Sequence, residues 1–350
     1  GKQNGDREDL LLPNPMASPR QEGANDTRNE STAMHSQISS SSSKDSKSSS
    51  FVFSCKVTDS EYFTTILSVL QMEKDKQGAV FMIADEGIKV TIEKDKILQA
   101  SAYMKSNIFQ EYKLSGGDEK DREFRIDLTT MLDCLRIFSS SCYVTMTYNG
   151  YGEDVHLILE NKGVITECAI RTVQGPRPVD FNFRKSMLLN QACLKSKYLQ
   201  DCFSELDIPG TSSVQIVMAP SEPFMSFRAG GDSMFCRIDF PNDELSEVFE
   251  HFQCQEYCSN RYNIGLIQMC AKSLTKMPKT DTTMIQMNAM GMLKLQHIVR
   301  DRNGSTNFIS YLIVPEEGDD DEYEDQEEDH SLGNNYNDGG GGLSFSLNLT

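Results

Sequence analysis

The sequence predicts an α+β fold of two similar domains, each with two helices packed on antiparallel sheets, set between disordered tails. Three observations predict it. One order of elements is written twice, the second copy about 130–140 residues after the first. Within each copy, amphipathic stretches with helical spacing alternate with short apolar runs separated by Gly, Asn, Asp and Pro turns. Composition also changes abruptly near residues 50 and 316. The implied layout is a Ser-rich tail over 1–50, a first domain over 51–171, a connector over 172–180, a second domain over 181–315 and an acidic tail over 316–350.

In the first copy, Phe51-Val52-Phe53 opens a strand, and Ser60 to Gln71 places Phe63, Ile66, Leu67 and Leu70 on one helical face. Ala79–Ala84 and Gly87–Ile92 form a hairpin about Asp85-Glu86. Strands follow at Leu98–Met104, Phe109–Leu114 and Phe124–Leu128. A second helix over Thr129–Ser139 turns Met131, Leu135 and Phe138 inward. Tyr143–Tyr148, Val155–Glu160 and Val164–Arg171 close the unit, the last two joined by Asn161-Lys162-Gly163.

In the second copy, Phe181-Asn182-Phe183 starts a strand before a helix over Ser186–Gln200. Val214–Met218 and Phe224–Ala229 pair about Pro220 and Pro223. A helix over Gly265–Met277 stops ahead of Pro278, whose ring cannot continue it. Thr283–Asn288, Met292–Val299 and Thr306–Val314 are strands, with Asn303-Gly304 turning the last pair. Leu245, Val248, Phe249 and Phe252 have helical spacing, but the repeat favours a strand over Val248–Cys254. Gly175, Pro176 and Pro178 mark the connector. Two helices per half cover one sheet face, so the other face stays polar and strand edges remain open to pair.

The tails hold too little apolar surface to offset the entropy of ordering. They also distort the net charge of −18. Residues 1–50 carry 6 basic and 7 acidic side chains, and residues 316–350 carry 12 acidic and no basic ones. That leaves 28 basic and 33 acidic residues in 51–315, which lacks the basic excess of a conventional nucleic-acid binder. No apolar run approaches 18 residues, and the start has no signal-type apolar segment, so neither a membrane nor secretion is indicated. Ten cysteines without paired spacing read as reduced thiols. The chain opens on Gly1 and not Met, which leaves room for residues ahead of it.

Four blocks carry a resemblance: Gly87 to Glu93 (GIKVTIE), Asn107 to Lys113 (NIFQEYK), Leu132 to Phe138 (LDCLRIF) and Phe203 to Asp207 (FSELD). Through them, residues 51–315 resemble the two-domain DNA sliding-clamp (PCNA-like) fold, and within it the Rad-one type subunits of the heterotrimeric checkpoint clamp, the nine-one-one complex. The resemblance implies a ring of three different subunits around duplex DNA, this chain joining two other checkpoint-clamp subunits head to tail. It implies loading by an ATP-dependent clamp loader. It further implies a nuclear, non-enzymatic platform for checkpoint and repair proteins, without cofactor or metal, with four helices lining the hole. The connector looks shorter than in replicative clamps, which leaves open whether their client-peptide groove works here.

A sliding ring needs cations facing phosphates without tight groove readout. Lys272 and Lys276 lie one turn apart, opposite the Ile267, Cys270 and Leu274 stripe. Arg136 lies opposite Met131 and Leu135, where the resemblance also places a channel-facing cation. Lys195 and Lys197 flank the polar side of the third helix, and the first helix offers only Thr64, Thr65 and Ser68. Ordinary solvated positions are the plainer reading of each. Two other constellations compete with this reading. His251, Cys254 and Cys258 could supply three zinc ligands but lack a fourth. Glu205 and Asp207, with Asp127 or Asp201, could form the two-metal centre of a metal-dependent 3′–5′ DNA exonuclease, the alternative function; solvated acids beside the Pro209-Gly210 turn are the simpler account.

Overall fold

Alternation of apolar and polar residues builds the first half. In β1 (Phe53–Val57), Phe53, Cys55 and Val57 are buried while their neighbours are half exposed. The Asp59 carboxylate then accepts from Tyr62 N–H at 3.0 Å and starts α1 (Ser60–Val69). Phe63, Ile66 and Leu67 on its inner face are buried, contributing about 1.5–3 kcal/mol each. β2 (Gly78–Ala84), β3 (Gly87–Lys94) and β4 (Leu98–Lys105) follow as a meander. Gly87 starts β3 with φ +147°, and a Cβ there would collide with the Met104 carbonyl, so the hairpin needs glycine. A short 3-10 turn leads to β5 (Glu111–Leu114), then β6 (Glu123–Asp127), α2 (Leu128–Leu135), β7 (Tyr143–Tyr148), β8 (Val155–Asn161) and β9 (Val164–Ile170).

The second half repeats that order with β10 (Leu188–Lys195), α3 (Ser196–Glu205), β11 (Ser213–Met218), β12 (Met225–Gly230), β13 (Phe235–Phe240), β14 (Phe249–Cys254) and β15 (Cys258–Asn263). α4 (Ile264–Lys276), β16 (Thr280–Asn288), β17 (Leu293–Arg300) and β18 (Thr306–Ile313) complete it. This computed structural model describes residues 51–183, 188–243, 246–277, 280–301 and 304–317. The Ser-rich tail, residues 318–350 of the acidic tail, and Ser186, Leu245, Pro278 and Asn303 lie outside them.

Among the described residues every strand pair is antiparallel. The sheets run β5-β1-β7-β8-β9, β13-β12-β11-β15, and a nine-stranded β14-β10-β16-β17-β18-β4-β3-β2-β6. The nine-stranded sheet crosses between the halves where β18 pairs β4, from Phe308↔Tyr103 to Ile313↔Leu98. Val90, Ala102, Ile309, His297, Thr283 and Leu194 stand in register across it and are all buried, forming the floor beneath the helices. One residue along, the row on the opposite face is polar: Thr91, Ser101, Ser310 and Gln296, with the Thr91 and Ser101 hydroxyls 3.0 Å apart.

Among the described residues, four helices on antiparallel sheets match the expected α+β class. The local corrections have physical causes. The helix expected over Ser186–Gln200 is instead strand β10 followed by α3. β14 and β16 flank β10 on both sides, and Asn190, Ala192 and Leu194 point inward at two-residue spacing. No strand forms at 181–183, where Phe181 is buried singly. α2 ends at Leu135 and not Ser139, because Arg136 takes the cap position. β13 and β15 are strands that the sequence pattern does not mark; β15 is polar apart from Tyr262, whose hydroxyl donates to Gly291 O at 2.6 Å. The ambiguous 248–254 segment is a strand, as the repeat requires.

Candidate nucleic-acid interface

The four helices bring part of the expected cation set together. Asp127 starts α2 by accepting from Thr129 N–H at 3.1 Å and the Thr130 hydroxyl at 3.0 Å. Burial of Leu128, Met131, Leu132 and Leu135 fixes the helix roll. Arg136 is thereby left exposed at its C-terminal end, its N–H bonded to Leu132 O and Asp133 O at 3.1 and 3.2 Å. Asn263 starts α4 by accepting from Gly265 N–H at 3.0 Å. Leu266, Ile267, Cys270, Ser273 and Leu274 face inward, so Lys272 and Lys276 emerge on the far side.

Charge couples these residues across the two halves. The Lys276 ammonium lies 3.5 Å from Ser68 O at the end of α1. Partial burial holds its pKa below the usual lysine range, and repulsion from Arg136 and then Lys272 adds to that. Lys276 therefore stands within electrostatic reach of both Arg136 after α2 and Lys272 one turn back on α4. Among the described residues none of the three pairs with a carboxylate. Lys272 and Lys276 also line a small cleft with Val69, Gln71, Met72, Met269 and Ser273. Arg136 and Lys276 sit at helix C-termini, where the helix dipole favours a cation. That accounts for placing a positive charge at each end. It does not account for holding three against mutual repulsion.

The other expected positions are not in the cluster. Lys195 ends β10 in register with Thr282, on the sheet face away from the helices, and its ammonium pairs with Glu247 at 3.1 Å. Lys197 is exposed in the first turn of α3. Ser68 does not present its hydroxyl as expected; it is buried and donates to Thr65 O at 2.9 Å.

Neither competing constellation assembles. Asp127 serves as the α2 cap, while Asp201 and Glu205 lie along α3 and Asp207 just beyond it. The His251 ring is 3.2 Å from the Gln191 amide, Cys254 donates to Glu256 O, and Cys258 lies 3.3 Å from the Met287 sulfur. Among the described residues no group of His, Cys, Asp and Glu could hold a metal ion. No helix among them is long and apolar enough to cross a membrane.

Comparison with known proteins fits this architecture. Residues 52–299 match the family described as repair protein Rad1/Rec1/Rad17. The human cell cycle checkpoint protein RAD1 is 36% identical over 261 residues, covering 73% of this chain and 88% of the human one. The mouse cell cycle checkpoint protein RAD1 is 33% identical over 269 residues, with coverage of 75% and 93%. The fission yeast (Schizosaccharomyces pombe) DNA damage checkpoint control protein rad1 is 25% identical over 273 residues, with coverage of 71% and 83%. With four helices on antiparallel sheets and a match over most of its length, the chain belongs to the Rad1/Rec1/Rad17 repair-protein family and has the sliding-clamp type of fold.

Proposed function

We propose that this chain is one subunit of a heterotrimeric ring that encircles duplex DNA in the nucleus and serves the DNA-damage checkpoint. An ATP-dependent loader places it, checkpoint and repair proteins dock on it, and it performs no chemistry itself. The Arg136–Lys272–Lys276 cluster carries this reading: three exposed cations from two halves, unpaired with carboxylates among the described residues, on helices that share one layer over the sheet. Membership of a family whose relatives are named as checkpoint proteins supports it. Among the described residues no group of His, Cys, Asp and Glu is placed to hold the metal ions that the exonuclease alternative needs.

The sheet edges supply a means of closing a ring. Among the described residues six strands end a sheet, and two of them display large apolar side chains to solvent. β9 shows Val164 and Ile165, 57% and 62% exposed, and β13 shows Phe235, 44% exposed, beside Met234. One edge lies in each half, so β9 of one subunit meeting β13 of the next is a heterologous contact that repeats around a ring. The 172–180 segment is the proposed connector. It is held down where Val173 N–H donates to Arg125 O at 2.8 Å and Val179 N–H to the Glu93 carboxylate at 2.6 Å.

Replacing Arg136, Lys272 and Lys276 together with Ala tests the cluster. The variant is expected to form the equimolar complex with its two partner subunits as the parent does, seen by sedimentation. Its DNA binding is expected to weaken by roughly tenfold or more at low salt, with a flatter salt dependence as phosphate contacts are lost. Unchanged DNA binding by the intact complex would remove the cluster from the interface.

A further inference from the structure

The described chain ends close to the start of the lysine-bearing helix. Glu316 N–H donates to Arg261 O at 2.7 Å, three residues ahead of α4. Beyond it, eleven of the fourteen residues from Glu316 to Asp329 are acidic, and 316–350 contains no Lys or Arg. The cations of α2 and α4 have the opposite lack. Lys272 and Lys276 line one cleft at the end of α1, where Lys276 is held below the usual lysine range by partial burial and then by Arg136 and Lys272. No carboxylate pairs with any of the three among the described residues. Repulsion of that kind is relieved by bringing an anion to the cluster.

Length permits the meeting. From Ile264 to Lys276, α4 advances about 18 Å at 1.5 Å per residue. An extended segment from Asp319 to Asp329 spans roughly 33 Å. A tail leaving beside Arg261 can therefore run the whole of α4 and continue towards Arg136.

We propose that the acidic segment 319–329 docks on the Arg136, Lys272 and Lys276 face of its own chain and competes there with DNA phosphates. The proposal rests on the reading of this cluster as the DNA-facing surface. A free subunit then carries its own DNA substitute, which holds off adventitious nucleic acid. Duplex DNA in the ring displaces it, because a duplex bears phosphates about twice as densely as the tail bears carboxylates.

Zero-length carbodiimide cross-linking of the full chain, read by mass spectrometry, tests the docking without DNA. The expected result is intramolecular amide links from Lys272 and Lys276 to acids within 319–329, suppressed at high salt. Links from these acids mainly to other lysines, links only between chains, or none would overturn docking. Binding of a short fluorescent duplex tests the competition. Truncation after Gly318 should raise affinity about threefold or more at low ionic strength, a gain that shrinks towards 0.5 M salt as screening grows. The gain should vanish in the Arg136→Ala, Lys272→Ala, Lys276→Ala background. Truncation without effect in a chain that does cross-link would overturn the competition. A triple variant that binds DNA as the parent does would instead strike the cluster's DNA role, and the cross-links would then decide docking on their own.

Discussion

His297 stands under α4 with Nδ1 2.9 Å from the Thr283 hydroxyl, which lies 2.8 Å from the Ser196 hydroxyl. All three residues are buried, and burial pushes the histidine pKa down to about 4 from 6.5. The folded chain thus gives up this proton more readily than the unfolded one. Stability is full above about pH 6.5 and falls as pH drops towards 4, by about 3 kcal/mol for this group. Thermal melts from pH 7.5 to 4.5 should show a steeper loss of Tm in the parent than in His297→Gln; equal slopes would mean that the histidine does not contribute. Exposure of Arg136, Lys272 and Lys276 is legible in the sequence, because helical spacing from Met131, Leu135, Ile267, Cys270 and Leu274 sets it. The Lys195 pairing with Glu247 is not, since one residue lies at a strand end and the other in the loop before β14. Ser68 departs from its expected exposure because its burial comes from tertiary packing around the end of α1, which no local pattern records.

Among the elements, the helix starts are the most local in origin. Asp59, Asp127 and Asn263 each accept a backbone N–H in the first turn, whereas α3 begins at Lys195 without a side-chain cap. Asp127→Ala should therefore cost about 1 kcal/mol, seen as a lower urea midpoint at unchanged slope. Full stability in that variant would show the cap to be redundant. Hairpins with marked turns are legible in the sequence, and so are α1, α2 and α4. β10 is not, because Leu188 to Lys195 mixes residues that serve helix or strand, and pairing with β14 and β16 decides between them. The exposed edges give a second test at this scale. Ile165→Asp on β9 or Phe235→Asp on β13 should leave the isolated chain folded, as read by its melt, while a buried charge at the seam blocks assembly with one partner. Normal assembly of both variants would place the seams elsewhere.

At the scale of the molecule, β18 against β4 joins the two halves through one nine-stranded sheet, so the first strands of the chain depend on the last. The repeat in the sequence announces two like halves, but a pairing between residues some 200 apart leaves no local mark. Charge acts at this scale too. With 28 basic against 33 acidic residues in 51–315, bulk attraction cannot hold the protein on DNA through physiological salt. In the proposed ring a small cation cluster suffices, because escape then requires opening the ring and not only breaking ion pairs. Retention on nicked circular DNA tests this most directly. The proposed complex of this chain with two related subunits, placed by the proposed loader, should stay on the circle through a high-salt wash and slide off once a single cut makes the DNA linear. Release by salt from the intact circle, or retention on the cut DNA, would contradict encirclement.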